Sequence, residues 1–228
     1  MKTLGIIIAC GKEEEIGEGH DVAFLPLGDF PVLVHTLKVF EASTVIDAIV
    51  IAVPKDRVDA TLHAIKRYGC NKVRGVVVGG ASRLSTLRTV YSKLPESASV
   101  VVIQEASRPF VKKAVLEETV KACKRYGCAV AAHRIPDAVK YVPKGMKVEK
   151  SMGRNTVWAA QTPQAFKDEV LCKLIDSKVP SSKVVDDESE FVCERADIHL
   201  VEVGECNMKI RTKKDLEIAT ALVSAKLV

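Results

Sequence analysis

The sequence predicts an α/β protein: a mostly parallel sheet flanked by helices, with a projecting β-hairpin arm. Three observations predict it. Short β-branched runs alternate with amphipathic segments from Leu4 to Arg134, the rhythm of strands joined by right-handed helical crossovers. Several runs are apolar almost throughout, as strands covered on both faces are. The rhythm then breaks where Ala138–Val142 and Met146–Lys150 flank Pro143-Lys-Gly145, a hairpin signal.

In order, Leu4–Ala9 reads as a buried strand that breaks at Gly11 into a polar loop. Pro31–Ala42 has helical spacing, and Val45–Val53 is a central strand ended by Pro54. Asp56–Tyr68 is a helix closed by Gly69, and Val73–Val78 is a strand before Gly79-Gly80. Ser82–Lys93 is a helix with Ser82 at its N-cap. Ser99–Gln104 is a strand running into Glu105-Ala-Ser-Arg-Pro109. Lys112–Tyr126 is a helix capped by Gly127, and Cys128–Arg134 a strand. After the hairpin, Asn155–Phe166 reads as irregular through Thr162-Pro163-Gln164. Lys167–Asp176 and Asp187–Arg195 read as helices and Ile198–Glu202 as a strand. Lys209-Ile210 is extended, and Thr212 caps a last helix, Lys213–Ala225. No repeat or linker appears, so residues 1–228 are read as one domain, with 138–152 as a hairpin dimerisation arm.

Of 228 residues, 47% are hydrophobic, enough for a sizeable core. The net charge of +5 is spread along the chain, which suits a small anionic ligand and argues against nucleic acid. The seven cysteines form no Cys-x-x-Cys pair, and the five histidines have no metal-ligand spacing. They read as reduced thiols of a cytoplasmic protein. The N-terminal apolar run is too short to span a membrane.

Chemistry is expected at the strand ends, where loops of a parallel sheet gather. Polar residues collect there at Gly11, Gly79–Arg83, Gln104–Arg108, Asp137–Lys140, Arg154, Thr162–Gln164, Asp186–Asp187 and Asn207–Lys209. The first loop has the glycines of a phosphate cradle, Gly11, Gly17 and Gly19. It also carries Glu13, Glu14, Glu15 and Glu18 against Lys12 alone, which would repel a triphosphate unless a divalent metal intervened. The glycine spacing is wrong for a dinucleotide fingerprint, which sets aside a dinucleotide-binding protein.

Six segments then carry a resemblance along nearly the whole chain: Phe24–Leu37, Val77–Arg83, Glu105–Val111, Arg154–Phe166, Val184–Ser189 and Asn207–Ala219. In order and spacing they resemble the 2-C-methyl-D-erythritol 4-phosphate cytidylyltransferases and the related ribitol-phosphate cytidylyltransferases. The resemblance implies a Rossmann-like sheet, a homodimer built through the arm, and a site for CTP with Mg²⁺. It implies attack of a phosphorylated polyol on the α-phosphorus with release of pyrophosphate. Carried over by position, it implies Lys12, Glu105 and Arg108 as catalytic residues, with Glu105 also on the metal. It implies Ala9, Cys10, Gly11, Gly79, Gly80, Ala81 and Thr86 around the nucleotide. Asp137, Arg154, Thr162 and Lys209 would hold the sugar phosphate.

The sequence departs from the family where the triphosphate should be gripped. Aligned without gaps, the loop Arg falls on Glu15 and the Lys of a Pro-Lys-Gln run on Val22. Exchanging attraction for repulsion at roughly 4 Å shifts an interaction by several kcal/mol at an effective dielectric near 20. The metal-binding Asp is Glu105, the Asp beside the base is Ala81, and two threonines near the sugar phosphate fall on Ala138 and Val185. Ordinary transfer is therefore expected to be weak or lost, leaving nucleotide or sugar-phosphate binding or a regulatory role. The alternative is an active transferase with rearranged groups, in which Lys12 replaces the missing cations or the glutamates hold extra Mg²⁺.

Overall fold

The structure is a computed structural model that describes all residues except 1, 11–15, 18–20, 94–97, 177–187, 193–196 and 205. The first part of the sheet runs as expected. Strand β1 is Thr3–Ile8, followed by a 3-10 turn over Val22–Phe24 and a two-residue pair, β2 (Pro26–Leu27) with β3 (Phe30–Pro31). Helix α1 spans Val32–Ala42. Strand β4, Ala48–Val53, starts three residues late because Asp47 turns its carboxylate onto the Thr3 amide at 2.7 Å. A 3-10 turn, Lys55–Arg57, leads into α2 (Val58–Arg67), and Gly69 takes a φ of +66° beyond it. Strand β5 (Val73–Val78), α3 (Arg83–Ser92), β6 (Val100–Glu105), α4 (Lys113–Tyr126) and β7 (Cys128–Arg134) follow.

The arm is slighter than the sequence suggested. Only β8 (Lys140–Tyr141) and β9 (Lys150–Ser151) pair, so the turn between them is long. The segment read as irregular is instead a ten-residue strand, β10 (Trp158–Lys167). It lies antiparallel between β6 and β7, with a register break between Ala160 and Gln164. Helices α5 (Asp168–Ile175) and α6 (Ser189–Val192), strand β11 (Ile198–Glu202) and helix α7 (Lys213–Ser224) complete the chain. The rest of the helix expected over Asp187–Arg195 lies outside the described residues. Lys209 and Ile210 form no strand, although the Ile210 amide donates to the Ser107 carbonyl at 2.8 Å.

The seven-stranded sheet has the order β11-β7-β10-β6-β1-β4-β5, and every strand but β10 runs parallel. Alternation sorts the side chains between two layers. Ile7, Ile49 and Ile51 pack with Leu33, Leu37, Phe40 and Leu116 on one face. Ile6, Ile8 and Val50 pack with Leu84, Leu87 and Phe166 on the other. A third cluster joins Val22, Leu27, Val32, Phe110, Ile210 and Ala219 beneath α7. Successive strands depart from β1 in opposite directions, first to β4 and β5 and then to β6. Open α/β sheets hold ligands at such a reversal, outside the carboxyl ends of the strands. Among the described residues no helix is long and apolar enough to cross a membrane.

Candidate active site

Glu105 is the last residue of β6 and sits opposite Ile8, the last of β1. It is 9% exposed, and three cations close on it, Arg108 from three residues on and Arg83 and Lys209 from distant parts of the chain. Arg83, at the start of α3, donates Nη1 to Glu105 Oε1 at 2.8 Å. Lys209 donates Nζ to the same oxygen at 3.0 Å. Arg108 donates Nε to Oε2 at 2.8 Å and Nη1 to the Asn207 carbonyl at 2.9 Å. Burial pushes the Glu105 carboxyl upward, but Arg83, Lys209 and Arg108 outweigh it and hold the pKa at about 2. This carboxylate stays ionised at any physiological pH, so it does not act as a proton-shuttling base.

Arg83 is shared. Its Nε and Nη2 bind both oxygens of Glu188 at 2.8 Å, a bidentate fork. Burial works against its charge, while Glu188 and Glu105 raise its pKa further. Among the described residues, three cations meet two carboxylates beside a cavity of about 390 Å³. Arg83, Glu105, Arg108 and Lys209 line it, with Gln161, Thr162 and Gln164 from β10 and Arg211. A cationic hollow of that size suits a phosphorylated small molecule.

Thr162 and Lys209 thus reach the cavity as expected. The Thr162 hydroxyl accepts the Glu105 amide at 3.1 Å, which ties β10 to the end of β6. Asp137 and Arg154 do not reach it: both are exposed on the arm side of β7 and β10. Gln161, Arg211 and Glu188 carried no assigned role in the sequence, and Gln164 stood there only within the polar Thr162–Gln164 stretch. Glu188 lies 105 positions from its partner Arg83, so no spacing betrays it. Gln161 lay within a stretch that the sequence presents as irregular.

The other half of the cleft lies at the ends of β1, β4 and β5. Ala9 continues the ladder by donating its amide to the Ala52 carbonyl at 2.8 Å. A Cβ on Gly79 would stand 2.4 Å from Cys10 Sγ, and one on Gly80 2.3 Å from Ser85 Oγ, so backbone approach demands glycine at both. The Thr86 hydroxyl accepts the Gly80 amide at 3.0 Å and donates to the Ser82 carbonyl at 2.9 Å. It shapes the glycine loop. Ala81 is exposed beside it. Cys10 lies 3.7 Å from the Thr86 hydroxyl, and burial pushes its thiol upward. Gly11, Lys12, Glu15 and the Val184–Asp187 stretch lie outside the described residues.

Val22, on which the ungapped alignment sets the phosphate-gripping Lys, is 2% exposed and packs within the cluster under α7. The apolar run Val22-Ala23-Phe24-Leu25 was the signal that this turn serves a core. Beside it, the Arg57 guanidinium holds Asp21 at 2.6 Å.

The fit of a divalent cation was tested on the donor set. Both Glu105 oxygens are engaged by cations, as are both oxygens of Glu188. Among the described residues no three His, Cys, Asp or Glu side chains converge to hold a metal. The metal role expected of Glu105 does not fit this arrangement.

The sequence profile described as IspD: 2-C-methyl-D-erythritol 4-phosphate cytidylyltransferase matches residues 3–225. The chain belongs to this family. It is 32% identical to the 2-C-methyl-D-erythritol 4-phosphate cytidylyltransferase of Shouchella clausii, covering 99% of this chain and 98% of that protein. Its counterpart in Alkaliphilus metalliredigens is 29% identical over 99% of this chain and 94% of its own length. The crystal structure of the Anaerococcus prevotii 4-diphosphocytidyl-2C-methyl-D-erythritol synthase superposes with a TM-score of 0.86 at 25% identity, covering 98% of this chain and 96% of that one. The Rossmann-like, mostly parallel fold expected of a cytidylyltransferase is the fold observed.

Proposed function

We propose that this chain transfers CMP from CTP to a phosphorylated polyol and releases pyrophosphate. The observation that carries the reading is the cluster of Arg83, Arg108 and Lys209 around Glu105 at the sheet's reversal point. Of these, Lys209 is the residue that the resemblance assigns to the sugar phosphate. An oxygen of the acceptor phosphate forms a bond to the α-phosphorus of CTP, the bond to the β-phosphate oxygen breaks, and pyrophosphate leaves. The cations hold the anionic acceptor in line and offset charge as it redistributes. Glu105 acts as their shared counter-ion, keeping three cations together in a buried place where they would otherwise repel. The glycine loop at Gly79 and Gly80, with Cys10 and Thr86 behind it, forms the nucleotide wall.

The expectation of weak or lost transfer drew on Glu15 and Val22. Glu15 lies outside the described residues, and the buried Val22 offers no charge to a phosphate. Transfer is supported instead by the family match over residues 3–225 and by cytidylyltransferase relatives matched over nearly their whole length. The family's divalent cation, Mg²⁺ by the resemblance, has no preassembled site among the described residues. The arm belongs to the same proposal: Tyr141, Val142, Met146 and Val148 are exposed apolar side chains that suit a second copy of the chain.

The test is a pyrophosphate-release assay with CTP, magnesium and 2-C-methyl-D-erythritol 4-phosphate. Release matched by a diphosphocytidyl product, at a rate within about tenfold of a typical ~10 s⁻¹ enzyme, supports the proposal. Absence of release at saturating concentrations of both substrates overturns it.

A further inference from the structure

One cation that lines the cavity stands outside the Glu105 cluster. Arg211 shares the wall with Arg83, Arg108 and Lys209, and it is exposed. Its place there follows from the backbone. Ile210 is fully buried in the cluster beneath α7, while its neighbours on either side, Lys209 and Arg211, both line the cavity. Such alternation is that of extended chain, in which residues two apart share a side. The segment is also pinned. The Ile210 amide donates to the Ser107 carbonyl at 2.8 Å, and the Arg211 and Thr212 amides donate to Asp215 Oδ2 at 3.0 and 2.9 Å. Arg211 therefore reaches out from a fixed backbone beside the hollow.

The other three cations are already committed. Arg83 turns Nε, Nη1 and Nη2 onto Glu188 and Glu105, Arg108 binds Glu105 and the Asn207 carbonyl, and Lys209 binds Glu105. Each is held by a carboxylate that competes with a ligand for it. The Arg211 guanidinium, by contrast, makes no hydrogen bond and no ion pair among the described residues. Asp215, the acid four residues on, is occupied by the two backbone amides. An arginine carries its N–H donors in a rigid fork that meets two oxygens of one phosphate at once. We infer that Arg211 is a further substrate-binding residue, gripping the phosphate of the acceptor with that fork. This rests on the acceptor reading of the cavity given above, and deepens it: the Glu105 cluster sets where the phosphate sits, and Arg211 supplies the uncommitted donors that hold it.

The experiment is calorimetric titration of the whole protein with 2-C-methyl-D-erythritol 4-phosphate. Arg211→Gln removes the charge from an exposed side chain and binds about tenfold or more weakly than the wild-type chain, as expected when a hydrogen bond to a charged group is lost. Arg211→Lys keeps the charge without the fork and recovers only part of the affinity. In the pyrophosphate-release assay, Arg211→Gln raises the KM for the phosphorylated polyol about tenfold and leaves the KM for CTP unchanged. That split marks a contact with the acceptor, since a general loss of structure would move both. Binding to the wild-type chain that is equally tight in Arg211→Gln overturns the inference and leaves the acceptor reading standing, and full affinity in Arg211→Lys overturns the fork. A wild-type chain that does not bind the phosphorylated polyol overturns both. Arg211-dependent binding without pyrophosphate release overturns the proposed reaction and leaves this contact standing.

Discussion

The two halves of the cleft are built on different physics. On the β6 and β10 side, three cations interlock around two buried carboxylates through ion pairs of 2.8 to 3.0 Å. On the β1 and β5 side, shape comes from the backbone: two glycines that admit no Cβ, braced by a Thr hydroxyl and a Ser cap. The first half is held by charge that a ligand can recruit. The second is held by close approach that a ligand can only fill. Such a division suits a reaction with one small anionic partner and one large partner that carries a base.

The contrast predicts where each half breaks. The largest effect is expected for Glu105→Gln, which leaves Arg83, Arg108 and Lys209 together without their shared counter-ion. Breaking a buried pair on one side costs about 3–5 kcal/mol, read as a lower urea midpoint. A change below about 1 kcal/mol would mean that the cations relax into solvent and the cluster is not a unit.

Acid should select the same half. The Glu105 carboxyl is held at about 2 against an ordinary value of 4.5, so its contribution is complete above pH 4.5. It is lost as pH falls through that value toward 2, on the order of 3 kcal/mol in all. Urea midpoints between pH 5 and 2 should therefore fall more steeply for the wild-type chain than for Glu105→Gln. Parallel slopes would contradict the ion-pair account.

A smaller effect is expected for Gly80→Ala on the other side. The new Cβ meets Ser85 Oγ at 2.3 Å and Ser85 backbone carbon at 2.9 Å, so the first turn of α3 must shift. Overpacking of that kind costs about 1–3 kcal/mol and should not depend on pH. It should weaken CTP binding while leaving the affinity for the phosphorylated polyol unchanged. Equal loss for both would merge the two halves into one.

What was legible in the sequence follows the same divide. Strands β5 and β7 match their sequence bounds residue for residue, because glycines bracket them, Gly79-Gly80 after β5 and Gly127 before β7. The caps at Ser82 and Thr212 were legible too, and each proves to be a full capping box. Strand β10 was not. Its polar Gln161-Thr-Pro-Gln164 stretch resembles a loop, since Pro is rare in a central strand except at irregularities. The register break between Ala160 and Gln164 supplies that irregularity. The Arg83–Glu188 fork escaped notice because it joins helices that only the folded sheet brings together.

The account depends most on the claim that the Glu105 cluster lends its cations to an anionic acceptor. Calorimetric titration of wild-type and Lys209→Met protein with 2-C-methyl-D-erythritol 4-phosphate tests it directly. The account predicts saturable binding to the wild-type chain and an affinity at least about tenfold lower in the variant, since a charge-assisted contact contributes ~1.5–3 kcal/mol. Equal affinity in the two proteins would show that the phosphate lies elsewhere and would contradict the account.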